Sequence, residues 1–185
     1  MLNNIVGIYG TPTPVSTNSY ESIYTIPVTT TTTDVTFTSI PGTYKHLQIR
    51  MLVQQNSATE NNDILEFQFN GDTTANYRQH SIRGDGATAL AANNTLSAGW
   101  VDRCIPRVGS SSFGGVVMDI LDYTSTSKNK TVRALGGFDR NGGGIITLSS
   151  SLWFKTPEAI TSIKLKPQSA SWTQYSSFAL YGIKG

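Results

Sequence analysis

The side chains able to do chemistry in this 185-residue chain are few and scattered. His46 and His80 fall at polar positions of alternating segments, and neither sits in an HxH or HExxH spacing, so a zinc site has no support. Cys104 is the single cysteine. It can form no internal disulfide, and no base accompanies it to raise its thiolate, so it reads as a small, half-buried residue. Asp63 and Asp72 flank a turn-forming stretch and suit capping better than acid–base work. Asp119 stands among apolar neighbours, where a carboxylate needs a partner. Arg133, on the expected neighbouring strand, is placed to supply it. Gly136-Gly137 and Gly142-Gly143-Gly144 precede no helix, so they cannot cradle a phosphate at a helix N-terminus. Ser110-Ser111-Ser112 lacks the Gly-x-Ser-x-Gly elbow. Arg83-Gly84-Asp85 matches a cell-adhesion tripeptide but is explained by a β-turn, and the Asn-x-Thr sequons at Asn93 and Asn129 carry no weight without a secretory route. No catalytic residue, metal ligand or cofactor is expected.

Binding by aromatic residues is the remaining chemistry. Trp153, beside Phe154 and opposite the Leu148 face, reads as an outward or interface position; Trp172 falls in the loop 168–173. Loop tryptophans suit a glycan platform, a protein interface or partial burial. An apolar patch near the start, Ile5, Val6, Ile8 and Tyr9, is followed by Pro12 and Pro14, which favour an extended path. This is the pattern of an anchoring arm with an apolar tip, or of a first edge strand. The candidate partner-binding residues are therefore Ile5, Val6, Ile8, Tyr9, Trp153 and Trp172.

The elements that must position these groups are strands. Leu47, Ile49, Met51 and Val53 share one face, with His46, Gln48 and Arg50 on the other. Tyr20 to Val28 and Val35 to Phe37 alternate in the same way. Leu65, Phe67 and Phe69 lead into Asn70-Gly71, a hairpin signal that predicts Tyr77 to Arg83 as the returning strand. Residues 87–97 suit a strand or a short helix, and 100–115 read as a long loop. The segment from Val116 pairs with Lys128 to Leu135 across a Ser/Thr turn, and Gly136-Gly137 ends the second strand. Ile146, Leu148, Leu152 and Phe154 are expected on the core face, with Ser149 and Ser151 opposite. Phe178 to Tyr181 is apolar on both faces, which marks a central last strand inserted between earlier ones. The spacing predicts about ten strands and an all-β, antiparallel, jelly-roll-like β-sandwich over residues 20–185, preceded by an extended N-terminal arm over 1–19.

Composition narrows the function. Charged residues make up 14% of the chain, and the net charge is +2. A balance this mild, with no dense Lys/Arg cluster, does not predict nucleic-acid binding. No apolar run is long enough to span a bilayer, so no membrane association is expected. The first residues lack a secretory leader, so synthesis in a cytosol without export is expected.

Three ordered stretches carry a resemblance. Tyr20-Glu21-Ser22-Ile23, the run from Ile40-Pro41-Gly42-Thr43-Tyr44 to Arg50, and the ending Ser177-Phe178-Ala179-Leu180-Tyr181-Gly182-Ile183-Lys184 resemble a family of small structural proteins of tailed bacteriophages, among them cyanophages. Phe67-Gln68-Phe69-Asn70-Gly71-Asp72 with Asn76-Tyr77 fits the same pattern. The resemblance implies a capsid decoration, or cement, protein: a jelly-roll-like virion component without enzymatic activity. It would bind the major capsid protein on the outer surface and assemble as a homotrimer. Some similar proteins belong to tails or fibres, so the alternative is a glycan- or receptor-binding module of a tail fibre or spike.

Overall fold

The computed structural model describes residues 19–59, 61–109 and 112–185. Among them are twelve strands and no helix: β1 (Tyr20–Pro27), β2 (Val35–Phe37), β3 (His46–Val53), β4 (Asn62–Phe69), β5 (Tyr77–Gly84), β6 (Ala89–Leu96), β7 (Gly99–Pro106), β8 (Gly114–Leu121), β9 (Lys130–Asp139), β10 (Gly144–Trp153), β11 (Ile163–Pro167) and β12 (Ser177–Ile183). Eight form one sheet in the order β1-β12-β3-β8-β9-β10-β5-β6, and four form a second, β2-β11-β4-β7. All strand pairings are antiparallel. The fold is the expected all-β sandwich. The arm residues Ile5, Val6, Ile8 and Tyr9 lie outside the described residues.

Period-two alternation builds most of the core. β3 buries Leu47, Ile49, Met51 and Val53, and β11 buries Ile163 and Leu165 while Lys164 and Lys166 stay half-buried. β12 lies between β1 and β3, as its two-sided apolar pattern predicts. It buries Phe178 and Leu180 on the inner face. Each such side chain contributes roughly 1.5–3 kcal/mol by leaving water.

The hairpin expected at Asn70-Gly71 is not made. The turn itself forms, with Asn70 at φ 51°, Gly71 at φ 69° and the Asp72 N–H donating to Phe69 O at 2.9 Å. β4 nevertheless pairs with β7 and β11 in the small sheet, while β5 pairs with β6 and β10 in the large one. The turn is tied to a different segment: Asn70 Oδ1 accepts from the Thr161 and Ser162 amides at 2.9 and 3.2 Å, and Asn70 Nδ2 donates to Ala159 O at 2.8 Å. Those bonds hold the chain at the sandwich corner, where it crosses between sheets.

Two further segments differ from expectation. Residues 100–115, read as a loop, are mostly strand, because β7 covers 99–106 and β8 starts at Gly114. Gly136-Gly137 lies inside β9, not at its end. Both glycines serve close packing: a Cβ on Gly136 would come within 2.9 Å of Cys104 Cβ, and one on Gly137 within 2.4 Å of Ile145 O.

Gly99, at the start of β7, is the tightest contact of this kind. A Cβ there would lie 2.0 Å from Phe67 Cζ. Phe67 is buried, with its ring centroid 5.2 Å from that of Phe69 and 6.2 Å from that of Tyr77, so it cannot step aside. Gly99→Ala is expected to destabilise the protein by about 1–3 kcal/mol through overpacking. A urea titration should show a lower midpoint with an unchanged slope. An unshifted midpoint would mean that the corner is looser than its geometry.

Candidate functional site

Most groups with chemical potential are committed to structure. Asp72 is buried after the turn. Its Oδ1 accepts from Thr74 N and Thr74 Oγ1 at 3.0 and 2.5 Å, and its Oδ2 from Trp153 Nε1 and Asn76 Nδ2 at 2.7 and 2.9 Å. Burial pushes this carboxyl up, but the hydrogen bonds from Thr74, Trp153 and Asn76 outweigh it and hold it well below the usual carboxylate range. The expected capping role is thus met by a hub that also fixes the end of β10. Asp102, buried on β7, takes Arg83 Nη1 at 2.6 Å and Ser81 Oγ at 3.3 Å. Arg83 and the turn-capping Asp85, whose Oδ1 accepts from the Ala87 and Thr88 amides, are therefore occupied within the fold. Lys130 is buried, and its Nζ caps the carbonyls of Ser125 and Lys128 at 2.5 and 2.9 Å; burial lowers its pKa.

Cys104 is fully buried, and burial pushes its thiol up to about 12. Such a thiol has almost no thiolate at neutral pH. Asp119 lies opposite Arg133 in register, but its Oδ1 accepts from Gln48 Nε2 at 2.7 Å; among the described residues no Arg133 ion pair forms with it. Among the described residues there is also no group of three His, Cys, Asp or Glu able to hold a metal.

The two tryptophans expected at an interface are inside. Trp153 packs on Tyr77 and Phe69 at centroid distances of 6.3 and 5.5 Å, with its indole N–H on Asp72. Trp172 meets Phe178 edge-on at 5.0 Å and donates to Leu165 O at 3.2 Å. The loop 168–173 therefore plugs the core instead of presenting an aromatic outward.

One inversion explains Trp153. β10 turns its serine face inward: Thr147, Ser149, Ser151 and Trp153 are buried, while Ile146 and Leu148 are 63% and 57% exposed. The cause lies in β7, the edge strand of the small sheet, which packs against β10. The Asp102 N–H donates to Ser149 Oγ at 3.2 Å, and Ser151 Oγ donates to Trp100 O at 3.3 Å. Small hydroxyl side chains let the β7 backbone approach and satisfy its otherwise orphaned edge groups. Leucine on that face could do neither.

The consequence is an apolar row on the outer face of the large sheet. Register places Arg50, Val117, Leu135, Leu148, Ile82 and Ala91 side by side across six strands. Val117, Leu135 and Ile82 are 40%, 53% and 62% exposed. From Val117 to Ile82 the row spans about 14 Å at ordinary strand spacing. On one side runs a polar row: Gln48, Asp119, Arg133, Ser150, His80 and Asn93. On the other, Gly115, Gly137 and Gly84 flank Ile146 and leave the sheet bare. Between β10, β5 and β6 the surface dips into an open trough of about 440 Å³ lined by Ile82, Leu148, Ala91, His80, Asn93 and Ser150. At the β1 side the face becomes aromatic and cationic, with the Arg50 guanidinium 5.4 Å from both the Tyr20 and Tyr181 ring centroids. The sequence did hold a signal for this row. Trp153 shares parity with Ser149 and Ser151, and burying the tryptophan requires the leucines to face out.

Taken together these features define an all-β sandwich whose large sheet presents an exposed apolar row beside a polar one on its outer face. No protein-family model, curated protein or solved structure matches the chain.

Proposed function

We propose that this chain is a non-enzymatic virion structural protein that binds the outside of a phage capsid and stabilises the lattice, with the major capsid protein as its partner. It is made in the host cytoplasm and works on the capsid surface. The observation that carries the reading is the exposed apolar run Val117, Leu135, Leu148 and Ile82 on the outer face of the large sheet, with Arg50 at its β3 end. Contiguous apolar patches mark interaction surfaces. A cement protein must raise the cost of separating lattice subunits, and repeated interfaces of about 800 Å² per partner suffice for that. The resemblance to phage structural proteins supplies the partner class. The glycan-binding alternative draws on Trp100, Trp153, Trp172 and the tyrosines; Trp153 and Trp172 are buried, which weighs against their part in a stacking platform.

The test mixes purified protein with phage heads that lack it and measures co-sedimentation and resistance of the heads to heat. Leu148→Asp, at an exposed position, is expected to leave the sandwich folded and weaken head binding by about tenfold or more, as the loss of a central contact does. Undiminished binding of that variant would remove the outer face from the proposal. Heads that gain neither bound protein nor heat resistance would sink the capsid reading itself.

A further inference from the structure

A sandwich of two open sheets has four edge strands, here β1 and β6 in the large sheet and β2 and β7 in the small one. Each edge presents unpaired backbone N–H and C=O groups that template pairing unless something blocks them. Three of the four are blocked. β1 carries a bulge between Ser22 and Tyr24, the charged Glu21 and Pro27. β2 is only three residues long. β7 is covered by Ser149 and Ser151 of β10.

β6 has none of these devices. It runs eight residues, Ala-Leu-Ala-Ala-Asn-Asn-Thr-Leu, with no charge and no proline. It pairs with β5 in unbroken register from Ala89↔Gly84 to Leu96↔Tyr77, so no bulge interrupts it. Among the described residues no segment pairs with its outer edge. Its residues are exposed or half-buried on both faces, and Leu90 is exposed.

We infer that β6 pairs antiparallel with β6 of a second copy of this chain, joining two large sheets across a two-fold axis at Asn93. The occupant follows from the strand's own chemistry. Opposed residues in an antiparallel pair lie on the same face, so a two-fold axis must lie between a residue and its own copy. Centred on Asn93, the register sets Leu90 against Leu96 of the second copy, and Leu96 against its Leu90. That gives two apolar cross-strand pairs on the inner face, beside the core that Leu96 already joins. Ala91 meets Thr95 on the outer face. A chargeless strand meets an identical one without like-charge repulsion, which a charged edge could not do. A two-fold contact is also closed, so pairing stops at two copies. A ring of three closed through β6 would need it to meet a different edge, and the other three are blocked. The inference rests on the sheet edge alone and stands apart from the capsid reading.

The test is light scattering of the full chain over a range of concentrations, with two variants at the exposed axis position. Wild type is expected at twice the chain mass. Asn93→Lys places two ammonium groups opposite each other and is expected to weaken the dimer by at least about tenfold while the circular dichroism stays unchanged. Asn93→Cys is expected to cross-link under mild oxidation, whereas Thr25→Cys on β1 should not; Cys104 is buried and does not compete. A monomer at all concentrations, a trimer, a dimer indifferent to Asn93→Lys, or cross-linking through Thr25→Cys without Asn93→Cys would each overturn the pairing.

Discussion

Replacing Asp72 by alanine is expected to lower the folding free energy by about 3 kcal/mol, because hydrogen bonds to a charged group are worth roughly 1.5–3 kcal/mol and the buried Trp153 donor is left without its partner. Four hydrogen bonds end on this carboxylate, one from the buried Trp153 indole and the rest from Thr74 and Asn76. Without it the Trp153 N–H has no acceptor in the core, and the segment that carries the chain from the small sheet into β5 loses its anchor. Asp72→Asn should cost less, about 2 kcal/mol, because one oxygen survives but the amide nitrogen now faces donors.

The same bonds set a pH dependence. The folded pKa of Asp72 is depressed. Its contribution is therefore fully present above the unfolded value of about 3.9 and is lost as pH falls below that value toward the folded one. The stability gap between wild type and Asp72→Asn should be largest near neutral pH and shrink under acid. Urea titrations of both proteins at neutral and acid pH decide this. A gap that stays constant with pH would show that Asp72 acts only by filling space.

Trp172→Ala is expected to cost a similar amount, about 3–5 kcal/mol, through lost transfer energy and the cavity left behind. Trp172 is fully buried against Phe178, and its N–H satisfies Leu165 O on β11. Its backbone also exchanges hydrogen bonds with Thr32, so one residue joins the loop 168–173, the segment around Thr32 and the small sheet. Trp172→Phe should recover part of the loss but leave the Leu165 carbonyl short of a donor. Thermal unfolding followed by near-ultraviolet circular dichroism measures both variants. A Trp172→Ala protein that melts like wild type would mean the loop does not close the core. The contrast with a surface aromatic is sharp, because a glycan-stacking tryptophan can be removed without loss of stability.

Much of the sandwich was legible before any coordinates. Alternation in 46–53 places each side chain on its observed face, because a strand with one polar and one apolar set has a single sensible orientation. The two-sided apolar pattern of 178–181 implies a neighbour on each side, and β1 and β3 provide them. What misled were patterns whose meaning depends on a distant partner. Asn70-Gly71 makes its turn, yet whether two strands then pair depends on what else claims the corner, and Thr161 and Ser162 claim it. β7 reads as loop because Pro106, Gly109 and Ser110-Ser111-Ser112 punctuate the segment, while its backbone partners are β4 and the serines of β10. The candidate site suffered most. Trp153 reads as outward from its local setting, Trp172 reads as an interface or partly buried loop residue, and Leu148 reads as core, whereas both tryptophans are buried and Leu148 is exposed.

The sequence alone determined that this is an antiparallel β protein with few ionisable groups, a central last strand and no obvious catalytic constellation, since period, turn chemistry and composition are local properties. Only the tertiary structure decided which face of β10 is inside, because that depends on β7 needing hydroxyls more than the core needs Ile146 and Leu148. The same decision buried Trp153 and left Val117, Leu135, Leu148 and Ile82 facing solvent. Which strand is left as an open edge was likewise settled by pairing, and no reading of Ala89–Leu96 by itself could have distinguished that edge from a buried strand.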